Sequence, residues 1–83
     1  MNRIIIDITN VYEDDKNILL ERIHEMNLSC FKRDKKEHHL LKTYYDVKIS
    51  DVDVTRRFTD YLSDECWSWK LETIGEPVKT ECR

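Results

Sequence analysis

The chain contains no alanine and no glutamine, and has one glycine and one proline. A single glycine, Gly75, excludes a glycine-rich loop of the kind that cradles phosphate. Cysteine occurs three times, at Cys30, Cys66 and Cys82, without the short paired spacing of a zinc site, and His38 and His39 do not supply the missing pair. No structural metal and no cofactor are therefore expected, and the thiols are expected to be free in a reducing cytoplasm. The densest apolar run, Ile4 to Ile6, is interrupted by Asp7, so neither a membrane span nor a leader is expected there. Three histidines let a nucleophile–His–Asp set be drawn in several ways, but no spacing selects one, and the chain reads as non-enzymatic.

The absences also speak of origin. Alanine, glycine and proline codons begin with two G or C bases, whereas isoleucine, lysine and asparagine codons begin with A/T pairs. Ile and Lys each occur eight times. Such a bias points to an AT-rich coding sequence, of the kind common in phages, mobile elements and low-GC bacteria.

What is present is charge interleaved with large apolar residues. Of 83 residues, 37 % are charged and 40 % hydrophobic, which is the balance of a folded domain rather than a disordered one. One domain is expected over residues 1–75, with a tail over 76–83. The net charge of −3 makes this a small acidic protein and disfavours a general affinity for nucleic-acid backbones.

Alternation predicts a strand from Arg3 to Thr9 and a second, central one from Leu40 to Ile49. In the latter, Leu41, Thr43, Tyr45, Val47 and Ile49 form the dry face, and Lys42, Tyr44, Asp46 and Lys48 the wet one. Between these strands, Asn10 with Glu13 three residues on reads as a capping box. The helix it opens would bury Tyr12, Leu19, Ile23 and Met26 and end at a left-handed Asn27. Leu28 to Arg33 is a shorter strand that ends in a charged turn, Lys32 to Glu37. Without glycine, the hairpin is expected to need a loop of three to five residues.

Ser50, Asp51 and Asp53 are candidate caps for a second helix that buries Val54, Phe58, Tyr61 and Leu62. Trp67, Trp69, Leu71 and Thr73 then alternate with polar residues as in a strand, although a helix running on to Ile74 is the competing reading. The order β-α-β-β-α-β, with right-handed crossovers, gives an α+β, ferredoxin-like sandwich with a four-stranded antiparallel sheet and two helices on one face.

Lys32, Arg33, Lys35 and Lys36, beside Lys42, make the one concentrated basic patch, suited to phosphates or to an acidic partner surface. The segment from Lys42 to Ile49 resembles the RNP1 pattern of RNA-recognition modules in its leading Lys42, in Tyr44 and in Val47. It lacks both glycines and places Asp46 where a second stacking aromatic belongs. Trp67 and Trp69 are aromatic anchors for a core or an interface, and an edge strand there can pair with a second copy of the chain.

The N-terminal third, with Asp7 after an apolar first strand, resembles the small CRISPR-associated ferredoxin-like proteins that dimerise during spacer integration. That resemblance implies a metal-dependent nuclease role for Asp7. The basic residues usual soon after that Asp are replaced by Glu13, Asp14 and Asp15, so the activity does not carry over with the strand.

These features favour a small non-enzymatic binding protein acting through contacts with another protein. An inhibitor of a host factor, carried by a phage or mobile element, fits the size and the codon bias. The alternatives are an RNA-binding module built on Lys42, Tyr44 and the basic patch, and a nuclease using Asp7.

Overall fold

A computed structural model describes residues 2–73. The elements run β1 (Asn2–Asp7), α1 (Glu13–Glu25), β2 (Ser29–Glu37), β3 (Leu40–Ile49), α2 (Val52–Asp64) and β4 (Trp69–Thr73). The strands form one antiparallel sheet in the order β2-β3-β1-β4. This is the ferredoxin-like sandwich that the pattern predicts, with β1 and β3 in the middle. Ile74, Gly75 and the tail lie outside the described residues.

Register decides which side chains meet the helices. Ile4 stands opposite both Val47 and Leu71, and Ile6 opposite both Tyr45 and Trp69. Directly opposed residues share a face, so these rows face the helices and close the core with Leu19, Ile23, Phe58 and Leu62. Ile4, Ile6, Leu19, Val47, Phe58 and Leu62 are fully buried. Each contributes about 1.5–3 kcal/mol by leaving water. Ile5 lies on the opposite, helix-free face, between Asp46 and Lys70.

Both helices end by the same device. In α1 the Asn27 amide donates to the His24 carbonyl and the Leu28 amide to that of Ile23, with Asn27 at φ 59°. In α2 the Cys66 amide donates to the Ser63 carbonyl and the Trp67 amide to that of Leu62, with Cys66 at φ 60°. These are Schellman terminations, and Cys66 occupies the place usually held by glycine. They settle the ambiguity after α2 in favour of the strand, because the left-handed residue redirects the chain. They also shorten that strand: Trp67 belongs to the cap, and β4 begins at Trp69.

One of the two helix start signals holds and the other differs from expectation. Asp51 caps α2, its Oδ1 accepting from the Val54 amide at 3.1 Å. The cap of α1 is Tyr12, not Asn10, and no side chain satisfies it. Tyr12 is 81 % exposed instead of buried. The chain between β1 and α1 is shaped by Asp7 and Thr9 instead, as described below.

The β2–β3 hairpin is longer and tighter than expected. The charged segment is not a turn: Lys32 to Glu37 are all strand residues paired with Leu40 to Tyr45. The loop is two residues, His38 and His39, at φ 49° and 68°. Two successive positive φ values are those of a type I′ turn, which asparagine and glycine normally supply. The ladder on either side imposes the turn that the sequence does not encode.

Candidate functional site

The helices cover only part of the sheet. Along the helix-facing row of β3, Ile49, Val47 and Tyr45 are buried, Thr43 is half-buried and Leu41 is 63 % exposed. Leu40, on the other face, is equally exposed. The last turn of the hairpin therefore projects beyond the core with both faces in water. The radius of gyration, 13.9 Å, exceeds the roughly 12 Å of a compact chain of this length. Leu41 is thus not a core residue, contrary to its place in the alternation.

The projecting tip joins exposed Leu40 and Leu41 to Lys35, Lys36 and the two histidines. Near its base Val11, Leu40, Leu41 and Lys42 line a depression that reaches Asp7 and Thr9. The sequence gives little warning of this patch. No residue pattern marks it: Leu41 stands opposite Lys36, but that pairing follows only from the register.

Asp7 closes a local turn. Its Oδ1 accepts from the Thr9 amide at 3.0 Å and from the Thr9 hydroxyl at 2.6 Å. The Thr9 Oγ1 in turn accepts from the Thr43 amide at 3.1 Å, tying the end of β1 to β3. Burial disfavours the charged carboxylate, but the two Thr9 hydrogen bonds and the Lys42 charge outweigh it, holding Asp7 below its ordinary 3.8. These contacts give Asp7 a structural role. Among the described residues no three His, Cys, Asp or Glu side chains cluster as metal ligands would.

The helix-free face is laced by ion pairs. Asp46, 7 % exposed, accepts from Arg33 Nε at 2.8 Å and from Nη2 at 3.3 Å. The hydrogen bonds to Asp46 raise the Arg33 pKa still further. The same guanidinium lies 5.1 Å from the centre of the Tyr44 ring. Lys48 covers Phe31 at 5.7 Å. Arg3 pairs with Glu72, and Lys35 with Glu37 at 3.0 Å. The hydrogen bond from Arg3 holds Glu72 below the usual carboxylate range, and that from Lys35 does the same for Glu37.

The predicted site residues are thus divided. Arg33, Lys35, Lys42 and Tyr44 share the helix-free face, whereas Lys32 and Lys36 project from the other side of edge strand β2. Trp67 and Trp69 do not join them: both are half-buried against the core, and Trp69 lies on the helix-facing row of β4 opposite Ile6. Charge is divided too. The helices and their caps carry ten carboxylates against Lys16, Arg22, Arg56 and Arg57, while β2 alone carries four basic residues against two acidic ones.

No family model and no curated protein matches the chain. Among solved structures, it is similar to the de novo designed protein Ferredog-Diesel, with a TM-score of 0.50 at 14 % identity over 87 % of this chain and 83 % of that one. At that identity the likeness shows the fold alone, a ferredoxin-like α+β sandwich. No helix among the described residues is long and apolar enough to cross a membrane.

Proposed function

We propose that this is a non-enzymatic binding protein that acts by contacting another protein, with the tip of the β2–β3 hairpin as its contact element. One observation carries the reading. Two exposed leucines sit beside two successive residues with positive φ, on a hairpin that extends past its own core. Apolar side chains left in water and a backbone held in an unfavourable region are both costs to the isolated domain. They become useful when a partner covers the tip. The lysines around the leucines suit a partner surface with an apolar centre and an acidic rim.

RNA base stacking is the less favoured alternative, since the Arg33 guanidinium already lies over Tyr44. An inhibitor of a host factor remains the setting that the small size and AT-biased composition favour.

The test is affinity capture from a lysate of a low-GC bacterial host, with Leu40→Ser/Leu41→Ser as control. A protein retained by the parent chain and lost with the double variant supports the proposal. Equal retention by both, or retention of nothing at modest salt, counts against it.

A further inference from the structure

The other edge of the sheet has a different character. Strand β4 pairs only with β1, and among the described residues nothing pairs with its outer side. The Asp7 amide donates to the Ser68 carbonyl, so Ser68 directs its backbone groups inward. Orientation alternates along a strand. Lys70 and Glu72 therefore also point inward, while Trp69, Leu71 and Thr73 present free amides and carbonyls outward.

We infer that β4 pairs with β4 of a second copy, antiparallel about a two-fold axis at Leu71, to form one continuous eight-stranded sheet. Three features support this register, and the charge pairing distinguishes it from its neighbours. The residues with outward backbone groups, Trp69, Leu71 and Thr73, meet Thr73, Leu71 and Trp69 of the second copy as hydrogen-bonded pairs. Lys70 meets Glu72 of the second copy, and Glu72 its Lys70. Those are the closely spaced, non-hydrogen-bonded pairs, with Cα atoms about 4.5 Å apart, where opposite charges interact best. Leu71, 46 % exposed in one copy, meets its own equivalent on the axis.

The neighbouring two-fold registers fail on charge: an axis at Lys70 or at Glu72 keeps outward backbone groups opposed to one another, but it sets a like charge directly against itself. Along the charged half of edge β2, an axis at Lys32, Arg33, Asp34, Lys35 or Lys36 again sets a charge against itself, and its lysines protect that edge. On the helix-free face, Glu72 would stand between its own Arg3 and Lys70 of the second copy, extending the ion pairs across the axis.

The self-pairing does not rest on the hairpin reading, because both hairpins lie at the far ends of the joined sheet. Sedimentation equilibrium of the full chain tests it. The mass should rise with concentration from the 10.1 kDa monomer toward twice that value. Lys70→Glu and Glu72→Lys should each weaken self-association at least tenfold. An equimolar mixture of the two variants should dimerise again, because each then supplies the charge that the other lacks. If Glu72→Lys alone fails to fold, as circular dichroism would show, Leu71→Lys replaces it and should be a folded monomer. The inference is overturned by a parent chain that stays monomeric, by a dimer that Lys70→Glu leaves intact, or by a mixture that stays monomeric. Capture through the hairpin should be unchanged in Lys70→Glu, which separates the two proposals.

Discussion

Arg33 and Asp46 face each other diagonally across β2 and β3, and the guanidinium grips both carboxylate oxygens, at 2.8 and 3.3 Å. Asp46 is buried beneath its partner, while Arg33 remains half in water. The pair is therefore asymmetric: losing the arginine strands a buried charge. Arg33→Ala should cost about 1–3 kcal/mol in urea denaturation. Replacing both residues, as Arg33→Met/Asp46→Leu, should recover much of that loss, because no unpaired charge is left. A double variant weaker than Arg33→Ala would show that the pair adds net stability.

Asp7 gives the fold an acid limit. Its carboxyl ionises below 3.8 in the folded chain because Thr9 and Lys42 favour the charged form more than burial opposes it. The contribution is complete at pH values above 3.8 and is lost as the pH falls through the depressed folded value. The stability difference between the parent chain and Asp7→Asn should be constant near neutrality and shrink below about pH 4. Thr9→Val removes the hydroxyl that links Asp7 to Thr43 and should cost about 1 kcal/mol. Thermal melts between pH 3 and 7 read both effects.

The fold was legible because burial follows period. Ile4, Ile6 and Ile8 alternate in β1, Val47 and Ile49 in β3, and Phe58 and Leu62 lie one turn apart on α2. The hairpin tip was not legible for the same reason. Leu41 keeps the alternation of the core, but alternation reports which way a side chain points, not whether anything lies over it. The His38–His39 turn was hidden because no residue preference encodes it, and the ladder beside it decides. Cys66 concealed the end of α2 likewise: a cysteine at φ 60° gives none of the signal that a glycine would. Of the candidate site, the basic residues of β2 were legible as a patch, but their division between two faces needed the register.

The two thiols of the described chain should differ in reactivity. Cys30 lies in the sheet opposite Val47, and burial followed by the Asp46 charge pushes its pKa up to about 11. Cys66 is exposed at the end of α2. In a Cys82→Ser background at pH 8, an aromatic disulfide reagent should label Cys66 promptly and Cys30 only on unfolding. Cys66→Gly should abolish the fast phase and raise stability by about 1 kcal/mol, since glycine adopts the left-handed conformation without a Cβ clash.

The same steric reasoning, applied to the hairpin, separates stability from binding. His38 and His39 hold φ values of 49° and 68° that asparagine and glycine adopt more easily. His38→Asn/His39→Gly should therefore raise the urea midpoint, by about 1 kcal/mol in stability. If the tip were merely a connection, nothing else would change. If the histidines are kept for contact with a partner, the more stable variant should retain less of the captured protein, as Leu40→Ser/Leu41→Ser does. That second variant removes only exposed side chains and should alter stability by no more than about 0.5 kcal/mol. Weaker capture without weaker folding in the Leu40→Ser/Leu41→Ser chain is the pattern that a binding tip requires. Unchanged capture by the His38→Asn/His39→Gly chain would confine the contact to the leucines and lysines.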